Sequence, residues 1–442
     1  MKIQLSDHFN YGRLIRFTVP SVVMMIFISI YSVVDGFFIS NFVGITPFAS
    51  VNLIMPVAQM LACFGFMFGA GGSALVSATL GARDHERANR IFSMITYIAT
   101  GVAVVLAILG AAFIRPISLL LGADEAMLPY CVVYGRILLL GMPAFFLQNL
   151  FQSFLVTAQK PTFGLVVTLA AGVTNMVLDA LFIVVFQWDI VGAALATVIA
   201  QCVGGFIPLV YFLRKNDSPL LLGKFHFDGK ALLTTCTNGS SELVANISMS
   251  VVSMLYNFQL MRLASEDGVA AYGAVMYVSF VFVAVFLGYS IGAGPVIGFH
   301  YGAQNHEELK GLWRRSNVLV ISASAILACV AMLLAAPLAK LFVGQDAALT
   351  AMTVYAFRCY AMAVLFSGFS IFGSAFFTGL NNGFVSAAIS FLRTFVFQVA
   401  AVLILPMLFD LAGVWYALFV AEILSVVVTV IFYQKNRKKY HY

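Results

Sequence analysis

Charge is what this chain has least of. Only 10% of its 442 residues are Asp, Glu, Lys or Arg, against 62% hydrophobic, and the mean hydropathy is +0.99. A water-soluble surface cannot be built from so few charges, so the solvent for this chain is lipid. Reactive side chains are scarce as well. Six cysteines (Cys63, Cys131, Cys202, Cys236, Cys329 and Cys359) fall in or beside apolar runs, without a CxxC spacing or a nearby His. They read as small core residues rather than ligands or disulfides. No His or Cys cluster offers a nucleophile with its base or a set of metal ligands, which argues against an enzyme. Gly223-Lys224 precedes Phe and lacks the upstream glycine of a phosphate-binding loop, so ATP is not expected to drive anything here. Polar breaks such as Asn216-Asp-Ser-Pro and Asn381-Asn-Gly are too short to hold a soluble domain. The basic start, Met1 to Arg16, enters a long apolar run with no small-residue cleavage site, which predicts an uncleaved first helix.

What the chain does have is apolar length. A membrane-crossing helix takes ~20 residues, and twelve such runs are present, at about 14–39, 51–78, 91–113, 127–155, 163–186, 190–213, 238–261, 268–296, 316–336, 349–379, 384–407 and 412–433. Cytoplasmic loops retain Lys and Arg. With the amino terminus inside, 18 of the 24 basic residues, Lys2, Arg83, Arg87, Arg90, Lys224 and Lys439 among them, lie on the cytoplasmic side. Both termini are then cytoplasmic in a multi-pass plasma-membrane protein. Its net charge of +6 is absorbed by this topology and implies no nucleic-acid partner.

The chain also repeats itself. At an offset of 221, Gly71, Gly81, Ala82, His85 and Glu86 fall on Gly292, Gly302, Ala303, His306 and Glu307; Phe151, Ser153 and Thr157 fall on Phe372, Ser374 and Thr378; and Asp189 and Gly192 fall on Asp410 and Gly413. The same Gly-Ala-x-x-His-Glu in the corresponding turn of both halves is a repeat signal that composition does not generate. The expected fold is all-α and polytopic, with twelve helices in two parallel six-helix bundles, 1–217 and 218–442, related by a pseudo-twofold axis along the membrane normal. Such halves can rock and expose a central site to either side in turn, the mechanics of a secondary transporter.

Ionisable groups within apolar helices are costly enough to need a reason. At ~1.5 Å per residue, Asp35 on the first helix and Asp179 on the fifth reach one depth in the outer half of the membrane. Asn175, one turn before Asp179, shares its face, and Thr197 on the sixth helix comes to the same level. This set offers hard oxygen ligands to Na⁺, or a carboxyl pair that shares a proton; it also admits a plainer reading, in which each Asp caps an inter-helix hydrogen bond. Arg393 and Glu422 both fall near the midplane of the second bundle and are expected to neutralise each other as a structural ion pair. Glu242, following Gly239-Ser240-Ser241, is expected to favour the start of the seventh helix. Pro20 removes a hydrogen bond from the first helix and can bend it, and Tyr31 lies one turn before Asp35. Arg136 and Arg358 occupy nearly equivalent positions without an assigned role, and His300 reads as a turn residue. With 42 Phe and 18 Met, a central cavity would suit flat, lipophilic and often cationic solutes.

These residues resemble a known family over the whole chain. The run Tyr31-Ser-Val-Val-Asp35-Gly-Phe-Phe-Ile-Ser is similar to the first-helix signature of multidrug and toxic compound extrusion transporters. Asn175-Met-Val-Leu-Asp179-Ala-Leu-Phe-Ile is similar to their fifth-helix signature, and the repeated Gly-Ala turn fits as well. Similarity to the DinF-like branch implies two six-helix lobes and a cation site at Asp35, Asn175, Asp179 and Thr197. It also implies that Pro20 bends the first helix when Asp35 changes state, and that Tyr31, Tyr134 and Gln152 line the cavity. The expected function is an antiporter, working as a monomer without a cofactor, that exports small organic compounds in exchange for Na⁺ or H⁺. Rival readings are another twelve-helix carrier of the major-facilitator type and a flippase for lipid-linked precursors. The loop Gly81-Ala-Arg-Asp-His-Glu-Arg-Ala departs from the usual major-facilitator pattern, and the few intramembrane cations disfavour a flippase. Through the offset of 221, Asp35 and Asp179 project onto Tyr256 and Ala400, so the coupling chemistry is expected in the first copy alone.

Overall fold

Inside lipid every backbone N–H and C=O must be paired within the chain, which apolar runs of this length achieve as helices. The computed structural model describes residues 3–344 and 346–442; Lys2, counted above among the inward charges, and the side chains of Ser32, Val33, Phe37 and Ser40 in the first-helix run lie outside the description. The first bundle comprises α1 (Tyr11–Phe42), α2 (Ile45–Gly81), α3 (His85–Leu120), α4, α5 (Pro161–Val185) and α6 (Asp189–Leu213). Helix α4 is a bent pair, Leu128–Leu140 and Met142–Thr157, set 51° apart. In the second bundle α7 (229–264) and α8 (266–302) are two arms of the long run Gly229–Gly302, parted at Ser265, where φ is 54° and ψ −146°. Helices α9 (His306–Val343) and α10 (Ala347–Gly379) follow. The run Gly383–Tyr440 divides into α11 (383–408) and α12 (411–440) at the non-helical pair Phe409 and Asp410. Twelve membrane helices result, and no strand occurs among the described residues.

The repeat is written into the backbone as well as the sequence. Positive φ angles recur at the same offset of 221: Gly44 (108°) with Ser265 (54°), Arg83 (65°) with Gln304 (54°), and Asp189 (46°) with Asp410 (47°). Each marks the place where the chain leaves one helix for the next.

Small residues bring the two bundles together. A Cβ on Gly81 would overlap the carbonyl oxygen of Phe299 on α8, and one on Gly302 would overlap that of Ala78 on α2. Gly239 on α7 is pressed against the Met67 carbonyl of α2, and a Cβ on Gly288 of α8 would lie 2.5 Å from the Cα of Val22 on α1. Such close backbone approach is how helices associate in lipid, where burial of apolar surface supplies little drive. All four contacts lie in the half of each helix nearer the face that carries the termini. At that face Tyr301, at the end of α8, packs on Tyr440, with ring centroids 5.6 Å apart.

One expectation fails here. Helix α7 starts at Gly229, not near 238, because Asp228 caps it by accepting from the Ala231 N–H at 3.0 Å. Glu242 therefore stands well inside the helix, half-buried, where no N-terminal dipole supports it. The Gly239-Ser-Ser sequence is a surface for packing on α2, not a helix start.

Candidate coupling site in the first bundle

Glycine sets the site. A Cβ on Gly172 of α5 would meet Phe27 Cζ at 3.0 Å and Tyr31 Cδ1 at 3.2 Å, so the bare backbone there lets α1 lie against α5. Phe27 and Tyr31 stand one above the other on α1, 6.0 Å between centroids. One turn beyond Tyr31 comes Asp35; one and two turns beyond Gly172 come Asn175 and Asp179. The contact at Gly172 therefore brings these polar groups onto facing surfaces at one depth. Asp35 is 7% exposed, Asn175 2% and Asp179 0%.

The two carboxyl groups meet side chain to side chain. No N–H or O–H among the described residues is donated to either oxygen of Asp179, to Asp35 Oδ1, or to Asn175 Oδ1. An ionised carboxylate so enclosed costs several kcal/mol, and two ionised carboxylates repel, so a shared proton or a bound cation is what can join them. The donors fit a small hard cation: two carboxylates and an amide oxygen, with Asp35 Oδ1, both Asp179 oxygens and Asn175 Oδ1 free of donors among the described residues. Among the described residues no group of three or more His, Cys, Asp or Glu side chains converges, so a cation here would depend on neutral oxygens beside the two carboxylates. Helix α5 changes to a π-turn immediately after Asp179, over Ala180–Val185, an irregularity common at functional sites.

Tyr134, on the first segment of α4, is fully buried, its hydroxyl without a hydrogen bond among the described residues and close enough to Asp35 and Asp179 to feel their charge. Gln152 lies beyond the α4 bend, 6% exposed, with Oε1 unpartnered. Thr197 is half-buried on α6, which packs on α5, but no hydrogen bond ties it to the acid pair among the described residues. Pro20 lies inside α1, half-buried, below the site.

Three polar residues went unremarked in the sequence. Gln148, Asn149 and Gln201 are buried at 6%, 2% and 8%, each with an unpartnered side-chain atom. Gln148 packs where a Cβ on Gly204 would stand, 2.8 Å away. The signal was available, since three amides at positions 148, 149 and 152 of one apolar helix need partners as acids do.

In the second bundle the structure brings Arg393 and Glu422 together. Arg393 Nε donates to both carboxylate oxygens at 3.1 Å and an Nη to Oε1 at 2.8 Å. Arg136 and Arg358, read from sequence as lying within helices, are exposed. His300 is no turn residue: it is helical, and 2% exposed. Cys329 is exposed and not part of any core.

Comparison with known proteins bears on the family and the fold. The family model described as MatE matches the chain twice, at residues 20–181 and 243–404, one stretch in each half. The multidrug export protein MepA of Staphylococcus haemolyticus is 25% identical over 422 residues, covering 93% of this chain and 90% of the relative. A solved structure of MATE in the straight conformation superposes with a TM-score of 0.93 at 22% identity, covering 98% of each chain. The outward-facing conformation of a multidrug resistance MATE family transporter of the MOP superfamily gives 0.93 at 22% identity, over 100% of this chain and 98% of that one.

Proposed function

Because this chain belongs to the MatE family, we propose that it is an ion-coupled antiporter which exports small organic compounds, cationic and amphipathic ones foremost, across the plasma membrane in exchange for Na⁺ or H⁺. It is a carrier and not an enzyme. The observation that carries the proposal is the acid pair Asp35–Asp179, enclosed between two helices of one bundle, three of whose four oxygens accept no hydrogen bond among the described residues. A relative named as a multidrug export protein, aligned over nearly its whole length, supports the export reading.

In this reading the face with the termini is cytoplasmic, as the basic loops indicate, and the bundles are closed there by the glycine contacts. Asp35, Asp179 and Asn175 hold the coupling cation, with Thr197 completing the set as α6 closes on α5; the cation's charge offsets that of the pair. Without it, repulsion between the carboxylates favours separation of α1 from α5, and the backbone bond missing at Pro20 gives α1 a place to bend. Tyr31 and Tyr134, beside the acid pair, and Gln152 beyond the α4 bend offer aromatic faces and an amide to a bound solute. Loading the acid pair and seating the solute then exclude each other, which is what exchange requires. One copy of the chain contains every part of this machinery, so a monomer suffices.

The test uses everted membrane vesicles containing the protein, with Na⁺ and pH gradients imposed separately and efflux of a fluorescent organic cation followed. The parent should respond to at least one gradient. Asp35→Asn should abolish that response at unchanged membrane insertion; gradient-driven efflux persisting at the parental rate would sink the assignment.

A further inference from the structure

The segment before α1 crosses from one bundle to the other. Residues 3–10 lead into a helix of the first bundle, yet they are seated on α8 and α9 of the second, with Leu5 and Phe9 fully buried. Glu308, in the first turn of α9 and 8% exposed, takes three bonds there: His8 Nδ1 lies 2.6 Å from Oε2, and Oε1 accepts the Phe9 N–H at 2.9 Å and Arg315 Nη1 at 3.3 Å. The same Arg315 nitrogen donates to the Phe9 carbonyl at 2.7 Å. Both backbone groups of Phe9 are therefore held by one acid and one base of the opposite bundle, while its ring stands edge-on to the buried His300 at 6.3 Å.

The repeat supplies a counterpart for comparison. The segment before α7 lies on α3 of the first bundle, with Leu220 and Leu222 buried. The N–H of Leu221 donates to Asn89 Oδ1 at 2.8 Å, and that of Gly223 to Ser93 Oγ at 2.9 Å. Two straps thus tie the bundles at the same face, each anchored by buried apolar side chains. Both straps include a charge-assisted bond, since Lys160 Nζ donates to Asp217 Oδ2 at 2.6 Å in the second. Only in the first do an acid and a base of the opposite bundle hold the strap's own backbone, and charge-assisted bonds are roughly twice as strong as neutral ones.

We propose that the amino-terminal strap is the latch of the cytoplasmic gate, and that Glu308 and Arg315 are positioning residues for the transport cycle. They hold α1 against the second bundle while the cytoplasmic side is closed, and their bonds to His8 and Phe9 are released when it opens. The proposal rests on the alternating-access reading of the function. Losing the Glu308 carboxylate removes the acceptor for two strap donors at once, so it should shift the conformational balance and not merely loosen a surface.

The experiment places nitroxide labels at Arg83→Cys and Gln304→Cys, the exposed ends of α2 and α8, in a chain whose six native cysteines are replaced, and reads the inter-label distance distribution in nanodiscs. Glu308→Ala should add a longer-distance population absent from the parent, and Arg315→Gln should add the same one. Glu307→Ala, an exposed acid of the same helical turn, should leave the distribution unchanged. Superimposable distributions for the parent and the folded latch variants overturn the proposal, as does an equal shift in Glu307→Ala. If Glu308→Ala does not fold, Arg315→Gln decides alone. Because the readout is a distance and not efflux, its failure is distinguishable from failure of the export reading.

Discussion

The Arg393–Glu422 pair permits a quantitative test, because its two partners are not equally enclosed. Glu422 is 1% exposed, whereas 16% of the Arg393 side chain is accessible. Three nitrogen–oxygen contacts of 2.8–3.1 Å join them. Arg393→Met leaves an unpaired carboxylate among apolar helices, an error of about 3–5 kcal/mol. Glu422→Gln leaves a guanidinium that can move its head along the partly open side and keeps an amide acceptor in place, so about 1–3 kcal/mol is expected. The double replacement Arg393→Met with Glu422→Leu removes both charges at nearly conserved volume. It should return to within about 1–2 kcal/mol of the parent, or exceed its stability. The assay is the fraction of protein remaining monodisperse after heating in detergent, measured for the parent, both single variants and the double. The expected order is parent and double together, Glu422→Gln next and Arg393→Met last. If the double variant is no better than Arg393→Met, or if Arg393→Met matches the parent, mutual neutralisation is the wrong account of why both charges sit there. A double variant that is stable but does not export would assign the pair to the cycle and not to the scaffold.

Two glycine substitutions test the packing argument, each with its own control. Gly81→Ala places a methyl group on the Phe299 carbonyl of the facing helix, so closure of the cytoplasmic side should be disfavoured by about 1–3 kcal/mol and efflux should fall about tenfold; Gly101→Ala on α3, with nothing within 4 Å, should transport normally. Equal efflux in the two variants would show that the contact at Gly81 is not needed for closure. Gly172→Val should push Phe27 and Tyr31 away from α5 and weaken the Na⁺ or pH response of efflux, whereas Gly164→Ala, whose added carbon meets only Leu155 at 3.5 Å and beyond, should leave that response unchanged. Efflux of Gly172→Val with unaltered ion dependence would separate the acid pair from the α1–α5 contact.

Much of the architecture was legible because lipid leaves few alternatives. Apolar length fixes the number of helices, and the offset of 221 fixes how the halves correspond. Asp35, Asn175 and Asp179 could be placed at one depth by rise per residue alone, since α1 and α5 cross in the same direction. Depth does not give azimuth, which is why Thr197 could be assigned a level but not a contact. The errors share another cause. Glu242 was misread because Gly-Ser-Ser is a helix-start signal in water but a helix-packing surface in lipid. His300 was misread because nothing in its own sequence neighbourhood says that residues 3–10 fold back to cover it. Contacts across some 300 positions, such as His8 with Glu308, have no local sequence signal.

Superposing the halves through their offset shows where the bundles diverge. The position of Gly172, which admits α1 in the first bundle, is Arg393 in the second; that of Gln201 is Glu422. Conversely Asp35 becomes Tyr256, buried with its hydroxyl unpartnered and its ring stacked 5.2 Å from Tyr272, and Asp179 becomes Ala400. The acid pair spans α1 and α5, whereas the ion pair spans α11 and α12, the counterparts of α5 and α6, so the two bundles place their charges on different helix pairs and for opposite ends. In the first, a glycine opens a contact that brings two carboxyl groups together, which under the proposed function is where a cation is gained. In the second, an arginine fills that position and is satisfied within the protein by its own acid, so it gains nothing from an external ion. In the proposed reading one bundle changes its charge state and the other keeps it. An ion drives exchange only if it binds one relative position of the two bundles more tightly than the other, and in the proposed reading the contact that its arrival changes lies between α1 and α5 of the first bundle.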